Sequence, residues 1–237
     1  MGQLIAHRGW SGKAPENTLA AIELALEEPK ITSIEIDVHQ SKDGIPVVIH
    51  DHRVDRTTDG SGYVMDLTLA ELKKLDAGSW FDPAFTGEQI PTLEEVLELV
   101  GGKKNLLIEL KQMAGLYEGL EANVLTLIQN FNTEAQCSLI SFDHKSLKTC
   151  LAFNPEVKRT LVMLGSPLLL VDQVNEIGAS AVSMHHQYVD EEMISSLKNN
   201  GTDLVVWTVD QKAEADRVLR FDQGIALTTN HPERLWV

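Results

Sequence analysis

Short β-branched runs alternate with longer amphipathic stretches along this chain, and no other feature restricts its fold as strongly. Extended runs are predicted near 3–8, 33–39, 105–110, 137–142, 159–164, 180–184, 203–209 and 225–229. Helical patterns follow at 17–28, 92–100, 116–131, 144–153, 167–177, 190–200, 211–221 and from about 232. The third of these shows the period well, with Leu120, Val124, Leu127 and Ile128 on one face. Strand and helix in alternation imply βα units on a parallel sheet. Eight such units in a single domain spanning 1–237 favour an α/β architecture closed as a (β/α)8 TIM barrel over an open doubly wound sheet. The absence of a Gly-x-Gly-x-x-Gly turn removes the usual reason to prefer a dinucleotide-binding fold.

The rhythm breaks once, after the second strand. Asp43-Gly44 separates extended runs at 33–41 and 45–50, too close together for a crossover helix. Parallel neighbours need a dozen or more connecting residues, so these runs are expected to form an antiparallel hairpin. The return brings His50 to the height of Asp37 at the barrel mouth. Residues from about 44 to 90 then read as a cap-like insertion, polar and acidic, with one short helix near 68–75. Loops at the C-terminal ends of barrel strands are where active sites are built.

Alternation within strands locates the chemistry. Glu35 and Asp37 point to the same face, opposite Ile34, Ile36 and Val38. Since the apolar side meets the helices, both carboxylates turn inward. Glu109 and Lys111 repeat the spacing on the next barrel strand. Ionised carboxylates in a barrel interior are costly unless paired or metal-bound. Three of them against one or two cations leave negative charge to satisfy, which favours a metal site over a purely structural ion-pair network. With oxygen ligands and no thiolates, the ion expected is Mg²⁺ or Ca²⁺. His39 continues this strand as a mouth or hairpin residue. His7 ends the first strand and His50 the returning hairpin; a histidine pair at one mouth can divide acid and base work. Arg8 and Lys111 supply the positive charge that an anionic substrate requires. Asn17 reads as the N-cap of the first helix. Trp207 either fills the core or walls the substrate.

The formal charge of −15 matters for partners, because it opposes nucleic acid binding and requires local cations wherever an anion binds. The longest apolar runs fall far short of the ~20 residues that span a bilayer, so no stable membrane association is expected. No signal peptide is read at the N-terminus, and Cys137 and Cys150 are expected to be buried free thiols, which together point to the cytoplasm. A homo-oligomer is compatible with the sequence but not specified by it.

His7-Arg8-Gly9, Pro15-Glu16-Asn17-Thr18, Glu35-x-Asp37, Asp43-Gly44, His50-Asp51, Arg56-Thr57-Thr58, Glu109-x-Lys111, Ser141-Phe142 and Trp207-Thr208-Val209 stand in one order along nearly the whole chain. In that order they resemble the glycerophosphodiester phosphodiesterase family. The resemblance implies a (β/α)8 barrel with a small insertion after the second strand and hydrolysis of glycerophosphodiesters to sn-glycerol 3-phosphate and an alcohol. It further implies a divalent cation on Glu35, Asp37 and Glu109, His7 and His50 as acid–base pair, and Arg8 with Lys111 on the phosphate. One departure is visible: many relatives carry Thr-Asp before an aromatic residue and proline, whereas this chain has Thr229-Asn230-His231-Pro232. Two rival readings are a phospholipase- or lyase-like enzyme that stops at a cyclic phosphate, and a silent barrel that binds a phosphorylated metabolite.

Overall fold

A computed structural model describes residues 3–236. Its strands are β1 (Leu4–His7), β2 (Ser33–Gln40), β3 (Pro46–Val48), β4 (Asn105–Leu110), β5 (Cys137–Ser141), β6 (Lys158–Met163), β7 (Ala181–His185), β8 (Asp203–Trp207) and β9 (Ala226–Thr229). The helices are α1 (Leu19–Glu27), α2 (Leu69–Leu72), α3 (Leu93–Val100), α4 (Leu120–Asn130), α5 (His144–Phe153), α6 (Leu170–Glu176), α7 (Glu191–Asn199) and α8 (Lys212–Leu219). All strands but β3 are parallel to their neighbours, and β1 pairs with both β2 and β9, so the sheet closes into a (β/α)8 barrel. β3 pairs antiparallel with β2, Val38 opposite Val48, as the hairpin at Asp43-Gly44 requires. The last unit ends in a 3₁₀ turn, Pro232–Arg234, in place of a full helix.

Strand alternation sorts the core into two layers. Ile34, Ile36, Val38, Leu106, Ile108 and Leu110 face outward and are buried with Ile22, Val96, Leu97, Val124 and Ile128 of the helices. Ile5, Leu107, Ile140, Val162, Val205 and Ala226 face inward and form a separate small cluster that plugs the barrel axis. One step of two residues above this plug come His7, Glu109 and Trp207, each two positions beyond an inward apolar residue. These three residues therefore stand on an apolar floor.

The segment after β3 is better organised than its polar composition suggests. Val47, Ile49, Val54, Val64, Leu72, Ala77 and Ile90 make a second apolar cluster of their own. These residues are spaced irregularly between turns, so no helical or strand period announces them. Asp76 holds the turns together by accepting from the backbone N–H groups of Gly78, Ser79 and Gly87.

Cys137 and Cys150 are free and buried. Burial pushes the Cys137 thiol up to about 11 and the Cys150 thiol to about 12. Neither carries thiolate near neutrality, and the thiolate is the reactive form. Ellman's reagent at pH 8 is expected to find no thiol in the folded protein and both in denaturant; rapid modification without denaturant would contradict this burial. Among the described residues, no helix is long and apolar enough to cross a membrane.

Candidate active site

The loop after β1 is shaped by its backbone. Arg8 and Gly9 both have positive φ, 58° and 76°. At Gly9 a Cβ would lie 2.7 Å from the backbone carbon of Ala21, so only glycine lets this loop press against α1. The turn delivers the Arg8 N–H to Glu35 Oε2 at 3.0 Å and the Gly9 N–H to the Glu35 carbonyl at 3.2 Å.

Parallel register then gathers the acids. His7 is level with Glu35, and Asp37 with Glu109. Glu35, Asp37 and Glu109 each offer a carboxylate oxygen within 4.8 Å of the other two, and all three residues are buried. Glu35 Oε1 is buried without a hydrogen-bond partner. Lys111 Nζ lies 2.6 Å from Glu109 Oε1 and 2.8 Å from Asp37 Oδ1, while Arg8 Nε lies 3.3 Å from Asp37 Oδ2. Burial and the neighbouring charges of Asp37 and Glu109 raise Glu35 well above the usual carboxylate range. Burial also raises Glu109, although Lys111 opposes it. For Asp37 burial acts in the same direction, but Lys111 and Arg8 outweigh it and hold the group low. A cluster with converging hard oxygen donors, one of them unpartnered, fits a divalent cation such as Mg²⁺ or Ca²⁺.

The histidines are anchored through Nδ1. His7 Nδ1 is 2.7 Å from Asn230 Oδ1, and His50 Nδ1 is 2.7 Å from Asp51 Oδ1. Burial, and then Arg8, push His7 down to about 4. Burial likewise lowers His50. His7, Arg8, Glu35, His50, Glu109, Lys111 and Trp207 line one cavity over the inner plug. His50, Glu109, Lys111 and Phe142 also border a larger outer cavity of about 710 Å³, which extends past Met113 and Lys145. The Trp207 and Phe142 rings meet edge to face at 5.6 Å, and Trp207 Nε1 donates to the Ser183 carbonyl. Trp207 is thus a cavity wall as well as a packing residue.

Three expectations need correction or addition. Asn17 does not cap α1; Thr18 does, its hydroxyl accepting from the Ala21 N–H. With φ of 60°, Asn17 turns its side chain inward. Its Nδ2 donates to Asp37 Oδ2 at 2.8 Å and its Oδ1 accepts from the Asp37 N–H at 3.2 Å. Of the two readings of His39 the hairpin one holds, since it lies opposite Val47 in the β2–β3 ladder, but it is fully buried and not an open mouth residue. The His50 carbonyl can only accept, so His39 Nε2–H donates to it at 3.0 Å, which leaves Nδ1 to accept from the Tyr117 hydroxyl at 2.7 Å. Arg8 is not free for a ligand on all sides, because its Nη1 donates to Glu16 Oε1 at 2.8 Å. Glu16 in turn accepts from Arg56, whose guanidinium also grips Asp51. A charged ribbon, Arg8–Glu16–Arg56–Asp51–His50, therefore ties the insertion to the first loop. Arg56 and Glu16 were visible only as motif letters; no local period marks residues 40 positions apart as partners.

The glycerophosphoryl diester phosphodiesterase family matches residues 7–234. A glycerophosphodiester phosphodiesterase of Caldanaerobacter subterraneus is 42% identical over 236 residues, covering 98% of this chain and 95% of that protein. A putative glycerophosphodiester phosphodiesterase of Bacillus subtilis is 42% identical over 233 residues, with 97% and 95% covered. The structure of an Oleispira antarctica phosphodiesterase in complex with the product sn-glycerol-3-phosphate is similar with a TM-score of 0.93 at 33% identity, covering 99% of this chain and 95% of that one. The fold, the order of motifs and the convergence of their residues on one cavity agree with these similarities, and the chain belongs to the glycerophosphoryl diester phosphodiesterase family.

Proposed function

We propose that this protein hydrolyses glycerophosphodiesters to sn-glycerol 3-phosphate and an alcohol, with Mg²⁺ or Ca²⁺ held by Glu35, Asp37 and Glu109. The observation that carries this reading is the gathering of three acids, two histidines anchored at Nδ1 and two cationic side chains around one cavity. When bound, the cation supplies Lewis-acid polarisation of the phosphoryl oxygens. Arg8 and Lys111 orient the phosphate and offset the field of an acidic protein. A glycerol hydroxyl loses its proton to one imidazole as its oxygen attacks phosphorus, and the bond to the alcohol breaks as the other imidazole protonates the leaving oxygen. Water then opens the cyclic phosphate with the two roles exchanged. A neutral amide beside His7 and a carboxylate beside His50 support His7 as first base and His50 as first acid, since a carboxylate favours the imidazolium.

The alcohol enters the outer cavity, whose width and mixed lining of Met113, Phe142, His52 and Lys145 suit several headgroups. Residues 44–90 act as its wall through His50, Asp51 and His52. Buried free thiols support a reducing, cytoplasmic setting. Turnover of glycerophosphocholine followed by ³¹P NMR tests the assignment. Release of sn-glycerol 3-phosphate and choline is expected; a cyclic phosphate as end product, or no turnover with either metal, would overturn it.

Asn17 should matter at one remove. Its two hydrogen bonds orient Asp37, and loss of such an outer partner typically costs about 10–100-fold in metal affinity or activity. Asn17→Ala is expected to raise the Mg²⁺ or Ca²⁺ concentration needed for half-maximal activity by about that factor. An unchanged metal dependence would show that Asp37 is positioned without it.

A further inference from the structure

His7 is oriented by two residues that lie far away in sequence. Asn230 follows β9 and Asp210 follows β8, and β8, β9 and β1 are consecutive around the barrel. Asp210 Oδ2 accepts from Asn230 Nδ2 at 2.7 Å, and Asp210 Oδ1 accepts from the Asn230 N–H at 2.8 Å and the Thr229 hydroxyl at 3.0 Å. Burial would raise Asp210, but these donors from Asn230 and Thr229 keep it below the ordinary carboxylate value. It is therefore ionised near neutral pH and can only accept.

That single fact orders the rest of the chain. If the Asn230 amide were flipped, its carbonyl oxygen would face a carboxylate oxygen at 2.7 Å, two acceptors without a hydrogen between them. The amide nitrogen must face Asp210, so the carbonyl oxygen faces His7 Nδ1 at 2.7 Å. A carbonyl can only accept, so Nδ1 carries the hydrogen. Ser11 Oγ lies 2.9 Å from the same Asn230 oxygen and 2.7 Å from the His7 carbonyl, both acceptors, and its one hydrogen does not alter this order.

We infer that Asp210 and Asn230 are a positioning pair that fixes neutral His7 as its Nδ1–H tautomer and turns the Nε2 lone pair into the cavity. The inference deepens the proposed function, because that lone pair is the one required to take a proton from the substrate hydroxyl. It also explains why an amide serves at position 230. An aspartate there would set a second carboxylate beside Asp210, and one of the two would have to hold a proton.

The test is two-bond ¹H–¹⁵N NMR of the histidine rings at neutral pH, with His7 assigned by its loss in His7→Gln. Wild-type protein is expected to show His7 as Nδ1–H. Asp210→Asn removes the acceptor-only partner without changing shape, and Asn230→Ala removes the link itself. Both are expected to populate the Nε2–H form and lower kcat at least about 10-fold, below the roughly 10⁴-fold of a fully wrong tautomer, with KM little changed. An Nε2–H His7 in the wild type overturns the inference, and so does an unchanged tautomer in both variants, whatever their activity. Should a variant fail to fold, the wild-type spectrum still decides. Nδ1–H in a protein that turns over no phosphodiester would refute the proposed function and leave the positioning pair standing.

Discussion

His7→Ala and His50→Ala are each expected to lower turnover of glycerophosphocholine by about 10²–10⁴-fold, the range for loss of a placed acid–base group. Among the described residues, His7 and His50 are the histidines that line the inner cavity; His52 and His144 border only the outer one. His39, the nearest alternative on β2, is buried with both ring nitrogens engaged by Tyr117 and the His50 carbonyl. Water could replace the proton transfer, but not its direction. KM should move little, since Arg8 and Lys111 retain the phosphate. pH adds a second signature, because a base acts only when unprotonated: with His7 near 4, the base itself stays competent down to mildly acidic conditions. Steady-state kinetics of both variants, with circular dichroism to confirm folding, make the measurement. Near wild-type kcat in either would remove that residue from the mechanism.

Chelation is expected to have a comparable effect. EDTA should abolish hydrolysis, and added Mg²⁺ or Ca²⁺ should restore it, because Arg8 and Lys111 are already paired with Asp37 and Glu109, and without a cation the three inward acids repel an anionic phosphodiester. Two readouts are independent of turnover. A cation at about 100 times its dissociation constant stabilises the folded state by about 2.7 kcal/mol, and a domain of this size shifts by roughly 2–4 °C per kcal/mol, so Tm should rise by about 5–10 °C. Cation affinity should also fall as pH falls. Glu35 and Glu109 sit above their ordinary values, so protons compete with the metal at higher pH than for exposed carboxylates. Full activity after exhaustive dialysis against chelator, with metal content verified, would dispose of the carboxylates as a catalytic cation site. Glu109→Gln should abolish the metal-dependent Tm rise if the site is where we place it.

The two predictions depend on residues that differ in how far they could be read in advance. Glu35 and Asp37 were legible as an inward pair because a strand has period two and their alternate neighbours are apolar. Glu109 followed by the same rule. His50 was placed beside them by the shortness of the link at Asp43-Gly44, which admits only a hairpin. Strand and helix boundaries fell within a few residues of the observed ones for the same reason: the hydrophobic period is a local quantity. Asn17 was misread because a capping role is the usual fate of asparagine before a helix, and nothing local reports that its backbone has positive φ. The insertion looked irregular because its apolar residues find one another only after several turns.

Local periodicity and connection length thus determined the eight βα units, the inward acids and the end of the sheet that bears the site, since each is a pattern over residues a few positions apart; closure itself joins Leu4 to Leu227. Tertiary structure alone decided which groups hold those residues in working order. Asn17 reaches Asp37 across 20 positions, Tyr117 reaches His39 across 78, and Asn230 reaches His7 across 223. Hydrogen-bond direction depends on which donor meets which acceptor, and only closure of the barrel, with β9 and β2 flanking β1, brings those partners within reach.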